Sequence, residues 1–300
     1  MIQTVLGKIE RNEFGNALAH EHLILDLDHV RHDGQSSIDT VEEVVPEILK
    51  AKDQGIRGVV EVSTIDMFRD VKKLKEISEK TNLNIVCSTG FYLSEYHPDY
   101  LYDMSTEQIA DIYVKELVEG IDDTGIKAGI IAEIASSDKG FVKNERKILE
   151  AAGIASSKTG FAVSTHTGKI AGHETVDILL DRKVNPDKII IGHQDLIDDS
   201  DYHISLLEKG VNLGFDTCGK KAYQSDEVRA KNIMKLIEAG YADHIVLSND
   251  VSRRTYFTTY GKFGYTAVMS EVVPLLKEYG ISDENLNKLL KENIARILDN

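Results

Sequence analysis

The sequence predicts an α/β protein folded as a (β/α)8 (TIM) barrel with a short N-terminal hairpin. Three observations carry that expectation. Eight short β-branched runs alternate with longer amphipathic, charge-rich runs. Several of the short runs, Gly58-Val59-Val60-Glu61-Val62, Ile189-Ile190-Ile191 and Ile245-Val246-Leu247 among them, are apolar with little alternation, as suits parallel strands covered on both faces. The length, 300 residues, fits one closed barrel. A doubly wound open sheet is the alternative. No Gly-x-Gly-x-x-Gly follows an early strand, which weakens a dinucleotide site.

In chain order, residues 1–15 read as a hairpin ahead of the first strand. Strands are expected at 17–22, 57–63, 84–89, 127–134, 161–166, 188–193, 211–216 and 244–250. Helices are expected at 40–52, with Asp39 as N-cap, and at 105–120, where Ser105-Thr106-Glu107-Gln108 has the capping-box pattern. Further helices are expected at 143–160, stopped by Lys158-Thr159-Gly160, and at 225–240 and 282–298. The four prolines interrupt no strand. No linker or low-complexity segment divides the chain, so residues 1–300 read as one domain.

Thirty-five Lys and Arg against 50 Asp and Glu give a net charge of −15. An acidic surface of this kind repels phosphate backbones and anionic lipid, so neither nucleic acid nor membrane is an expected partner. No apolar run approaches the roughly 18 residues of a bilayer span. Only Cys87 and Cys218 occur, too few for a disulfide framework, and no apolar leader is visible. A cytoplasmic setting is therefore expected.

The chemistry-bearing residues gather at strand ends. The first strand closes on Ala19-His20-Glu21-His22, where i and i+2 spacing aims His20 and His22 the same way. Glu133, His166, His193 and Asp250 close the fourth, fifth, sixth and eighth strands. In a barrel all parallel strands end on one rim, so six ligand-type side chains converge on one mouth. Four imidazoles and two carboxylates suit two first-row divalent ions, Zn foremost with Mn or Co as alternatives. One carboxylate would bridge ions roughly 3.5–4 Å apart.

The order His20-x-His22, Glu133, His166, His193, Asp250 resembles the amidohydrolase superfamily and, within it, the phosphotriesterase-related family. The segments Leu18-Ala19-His20-Glu21-His22-Leu23, Ala128-Gly129-Ile130-Ile131-Ala132-Glu133, Ser164-Thr165-His166-Thr167, Ile191-Gly192-His193-Gln194-Asp195 and Leu247-Ser248-Asn249-Asp250 carry the resemblance. It spans about residues 7–298. Phe215-Asp216-Thr217-Cys218-Gly219-Lys220 and Arg253-Arg254 are similar to the phosphotriesterase homology branch. The resemblance implies that His20, His22 and Asp250 hold the more buried ion, and His166 and His193 the more exposed one. The namesake branch bridges its ions with a carbamylated lysine. Here Ala132 stands at that place and Glu133 follows, matching the Glu bridge of the homology branch. Efficient organophosphate hydrolysis is accordingly not implied, beyond a weak side activity.

The expected mechanism is hydrolysis by a metal-bridging hydroxide, with Asp250 accepting its proton. The resemblance places Tyr92 beside the substrate oxygen. Arg253 with Tyr256 resembles the phosphate-holding pair of the family's sugar-lactone branch, and Lys220 or Lys221 would add a third contact. A small anionic substrate follows, with a phosphorylated sugar lactone or another ester first and an N-acyl amide as the alternative. The family often forms homodimers, although no interface is legible in this chain. His29, His32 and His97 lie in loops expected to line the same pocket, and Asp195 is expected to orient a ligand.

Overall fold

The computed structural model describes residues 1–300, the side chain of Lys143 apart. The N-terminal hairpin is β1 (Ile2–Thr4) paired antiparallel with β2 (Gly7–Ile9). The barrel strands are β3 (Asn16–Glu21), β6 (Ile56–Glu61), β7 (Asn84–Thr89), β8 (Ile130–Ala135), β9 (Val163–His166), β10 (Ile189–Ile191), β11 (Asn212–Phe215) and β12 (Ile245–Leu247). They follow one another in parallel in exactly sequence order, from β3 to β12. Two short antiparallel strands, β4 (Leu25–Asp26) and β5 (Ser37–Ile38), brace the loop after β3. All eight expected strands are present, and the open-sheet alternative is set aside because the first and last strands meet.

That meeting is made mostly by side chains. The Asp250 N–H donates to the His20 carbonyl (3.3 Å), and Ser248 Oγ lies 2.7 Å from the same oxygen. The buried Glu21 carboxylate does the rest. Its Oε1 accepts from Ser248 Oγ (2.7 Å), Asn249 N (2.8 Å) and Asn249 Nδ2 (2.9 Å), and its Oε2 accepts from Val251 N (3.0 Å). Burial pushes the Glu21 pKa upward, and these donors pull against it.

Alternation explains why the strands read as apolar on both faces. Ala17, Ala19, Val60, Ile130, Ala132, Ile190 and Val246 fill the barrel interior. Their neighbours Leu18, Val59, Ile131, Ile189, Ile191, Ile245 and Leu247 pack outward under the helices. The pattern slips in two places. Register shifts fall between Leu18 and Glu21 in β3 and between Ile131 and Ile134 in β8, where the Ala132–Glu133 peptide is cis. Such irregularities re-aim side chains near functional rims.

The helices depart from expectation in detail. The first long helix spans Val41–Asp53, and its cap is Thr40 rather than Asp39. Thr40 Oγ1 accepts from Glu43 N while Glu43 Oε1 accepts from Thr40 N, so the reciprocal box fixes the start one residue later. Thr106–Val118 is capped by Ser105 and Gln108 as expected. Lys143–Thr159 ends at Gly160, whose φ of 82° is left-handed. Asp226–Glu238 follows its Ser225 cap. The last helix is Asp283–Asn287 and Asn293–Leu298 joined by a π-helical turn, Lys288–Glu292. Val71–Thr81, Gly172–Asp181, Ser200–Leu207 and the segment of Val268–Val272 and Val273–Glu278 add to the outer layer and were not anticipated. Among the described residues no helix is long and apolar enough to cross a membrane.

Because Glu21 satisfies four buried donors at the seam, Glu21→Ala strands them and should cost roughly 2–4 kcal/mol. Denaturant unfolding followed by circular dichroism measures this, and a variant as stable as the parent would show that the seam does not need the carboxylate.

Candidate metal centre

The rim of the barrel brings all six sequence-predicted ligand-type residues together. Glu133 lies at their middle. Its Oε2 is 3.1 Å from His20 Nε2, 3.3 Å from His166 Nδ1 and 3.8 Å from His193 Nε2, and its Oε1 is 3.4 Å from His22 Nε2. Asp250 Oδ1 is 3.3 Å from His22 Nε2. His193 Nε2 and His166 Nδ1 are 2.7 Å apart.

Each residue arrives by a different device. Regular alternation brings His166 inward at the end of β9. The shifts in β3 and β8 turn His20, His22 and Glu133 toward the mouth, where strict alternation from Ala19 would have aimed Glu21. His193 and Asp250 sit just beyond β10 and β12 with left-handed φ of 58° and 50°. Such backbone is uncommon outside glycine and persists where neighbours hold it. The His193 N–H donates to both oxygens of Asp216, and that of Asp250 donates to β3.

Asp216 is the residue the sequence reading undervalued. It is buried beneath the histidines. Its Oδ1 accepts from His193 Nδ1 (2.7 Å), and its Oδ2 is 3.5 Å from His20 Nδ1. Gly214 and Gly192 make room for it: a Cβ on Gly214 would meet Asp216 Oδ2 at 2.3 Å, and one on Gly192 would come within 3.3 Å of the same oxygen. Asp195, the expected orienting residue, does not reach a ligand-type histidine. It accepts from Thr217 Oγ1 (2.5 Å) and the fully buried Arg229 (2.6 Å), bracing the segment that carries Asp216. Ser63 Oγ is 2.9 Å from His22 Nδ1, a further support that the sequence did not signal.

The donor set fits a cation. Both ring nitrogens of His20 and Oε2 of Glu133 are buried and form no hydrogen bond. Ligand atoms of His20, His22 and Asp250 lie within 4.8 Å of one another, as do those of His20, Glu133 and His193. Oxygen and imidazole nitrogen together suit zinc-like divalent ions. The electrostatics agree. Burial opposes ionised Glu133, but His20 and His166 prevail and hold it well below the usual carboxylate range. Burial likewise opposes charge on His22 and His193. Contacts with Asp250 and Glu133 lift His22 to about 10, and Asp216 lifts His193 to about 9.

A cavity of about 320 Å³ opens over this cluster. Tyr92, Lys220, Arg253 and Tyr256 line it as expected. Tyr92 Oη is 3.4 Å from His166 Nδ1, and burial raises its pKa well above the ordinary phenol. Lys220 pairs with Asp250. Arg253 pairs with Asp33 (2.9 Å). Lys221 does not line the cavity: it points outward to Glu271 (2.8 Å), because the loop after β11 turns between the two lysines. Nor do His29, His32 or His97 line it. His97 is buried and holds the Tyr92 carbonyl through Nε2 (2.8 Å), and His29 packs on Phe68 and Tyr96. Cys87 and Cys218 are both buried, and burial pushes the Cys87 thiol up to about 12, which leaves it inert. The loop after β12 is fastened to the loop after β3: Arg254 N–H donates to Gln35 O (3.1 Å) and Arg254 Nε to Ser37 O (2.8 Å).

Comparison with known proteins bears on the cluster. The model of the phosphotriesterase family matches residues 1–298. The phosphotriesterase homology protein of Escherichia coli is 32% identical over 280 residues, covering 93% of this chain and 96% of its own. An N-acetyltaurine hydrolase of Xenopus tropicalis is 30% identical, covering 97% and 96%. The crystal structure of the E. coli homology protein with phosphate in its active site superposes with a TM-score of 0.93 at 31% identity, over 96% of this chain and 99% of that one.

Metal ligation requires neutral imidazoles. His22 and His193 stay protonated below their raised pKa values, so binding must displace protons throughout the neutral range. Titrating zinc into apo-protein in weak buffer at pH 7 should release roughly two protons per chain, with affinity rising toward pH 9. Absent proton release would show that His22 and His193 are already neutral before the metal binds. Asp216→Asn, which removes the negative charge behind His193, should weaken zinc binding about 10–100-fold in a competition titration with a chelator.

Proposed function

The chain belongs to the phosphotriesterase family of metal-dependent hydrolases, and we propose that it cleaves a lactone or other carboxylic ester in a small anionic substrate. One observation carries this reading: the histidine–carboxylate cluster forms the floor of a cavity whose walls hold cations, Arg253 and Lys220 among them.

His20, His22 and Asp250 would hold one divalent ion, His166 and His193 would hold the other, and Glu133 would serve as a ligand as well. Two such ions, zinc foremost with manganese or cobalt as alternatives, would supply a polarised carbonyl and a water acidic enough to attack at neutral pH. The protein residues then have distinct tasks. Asp250 is kept ionised, because Lys220 and the neighbouring imidazoles outweigh its burial. It is therefore able to take a proton from the attacking water and return it to the leaving group. Tyr92 stays a neutral phenol and donates to the substrate oxygen. Lys220 is engaged with Asp250 and Arg253 with Asp33, so Arg253 beside Tyr256 supplies a shared rather than a sole hold on the substrate's anionic group.

The second reading is cleavage of an N-acyl amide. It is favoured by the relative described as an N-acetyltaurine hydrolase, whose named substrate combines an amide with a sulfonate. The same cluster would attack either carbonyl.

Zinc-loaded enzyme assayed against phosphorylated lactones and N-acyl amino acids or sulfonates separates the two. We expect turnover of the lactones, abolished in Glu133→Ala together with bound metal. Arg253→Ala should raise KM for phosphorylated lactones about tenfold and spare unphosphorylated ones. Turnover of amides alone would transfer the assignment to the second reading.

A further inference from the structure

The cations around the cavity are not equivalent. Lys220 is committed to Asp250 and Arg253 to Asp33. Lys169 is exposed on the loop after β9. Arg31 differs from all three. It lines the cavity from the short helix Asp28–Arg31 in the loop after β3, it is half-buried, and among the described residues no carboxylate lies within 4.0 Å of it. Neutral oxygens hold it instead: Arg31 Nε donates to Tyr96 Oη (3.0 Å), and Nη1 lies 3.5 Å from Ser36 Oγ. Tyr96 is itself fixed, since its ring packs on Tyr92 at 5.3 Å and on His29 at 5.6 Å.

A guanidinium has five donors, and a planar anion takes two of them at once. Here Tyr96 takes Nε and Ser36 lies near Nη1, so the side chain lines the cavity with donors to spare on its two outer nitrogens. Ordering this side chain before a ligand arrives lowers the entropy lost on binding.

We propose that Arg31 is a substrate-binding residue, the receptor for an oxyanion (carboxylate, phosphate or sulfonate) carried by the substrate away from its scissile bond, with Tyr96 as its positioning residue. This deepens the hydrolase reading and rests on it for the identity of the bond cleaved. It does not rest on it for binding.

The test uses matched pairs that differ only in charge: a phosphorylated lactone against the same lactone unphosphorylated, and N-acetyltaurine against N-ethylacetamide. In zinc-loaded Arg31→Met of parental metal content, KM for the charged member of the pair that is turned over should rise about 10–100-fold. Its kcat should change by less than about threefold, and the neutral member should be unaffected. Arg31→Lys should recover part of the loss, and Tyr96→Phe should show a smaller rise in KM. Equal losses on charged and neutral members, or no loss on either, would overturn the proposal. If neither pair is turned over, the hydrolase reading fails separately. Thermal stabilisation of the zinc-loaded protein by the charged compounds then decides: stabilisation present in the parent and lost in Arg31→Met supports the receptor, and stabilisation equal in the two refutes it.

Discussion

The carboxylate of Glu21 closes this barrel. Seven of the eight strand junctions are backbone ladders, whereas the eighth, between β3 and β12, has a single backbone bond from Asp250 to His20 and depends chiefly on one acid taking four hydrogen bonds from Ser248, Asn249 and Val251. The junction sets more than shape. His20 and His22 flank Glu21, and Asp250 lies between Asn249 and Val251. Fastening Glu21 to the segment after the last strand therefore brings His22 Nε2 to within 3.3 Å of the Asp250 carboxylate. Closure of the fold and assembly of the candidate centre are one event.

Above the seam, charges are nested. Glu133 is ringed by four imidazoles, Asp216 lies behind two of them, and Asp195 with Arg229 supports the segment that carries Asp216. Burying so many ionisable groups is unfavourable unless each is paired. Here every acid faces a base, and His20 Nε2 and Glu133 Oε2, which form no hydrogen bond, lie 3.1 Å apart among the other ligand-type atoms, where a cation would fit. The net charge of −15 describes the outer surface. The mouth itself is lined by Arg31, Lys169, Lys220 and Arg253, which is how an acidic protein can receive an anion.

Much of this was legible from residue order. The eight strands stood out because both their faces are buried, and the ligand-type residues stood out because they close strands. What escaped has physical causes. Alternation cannot reveal a register shift, so Glu21 read as a spacer between two histidines when it is the residue that turns to the seam. Asp216 was visible only as an acid, since its role depends on Gly192 and Gly214, whose missing Cβ atoms are meaningful only once the strands are side by side. Lys220 and Lys221 are adjacent in sequence yet point to opposite sides of their loop. Arg31 sits in a segment with no periodic signal, and its value comes from Tyr96, which is 65 residues away. The helix at Val71–Thr81 was readable, with Val71, Leu74 and Ile77 at helical spacing, but its charged residues masked it.

The stitching between the loops after β3 and β12 carries a consequence for how such a protein diversifies. Asp33 binds Arg253, Ser36 joins Asp33 to Arg31, and Arg254 reaches Gln35 and Ser37. Barrel enzymes are usually thought of as a fixed frame with interchangeable loops. In this chain the two loops are a single inherited module whose halves lie more than two hundred residues apart. Recombination that exchanges one without the other breaks the shared hydrogen-bond chain, so new specificities should arise here by paired substitution rather than by loop replacement.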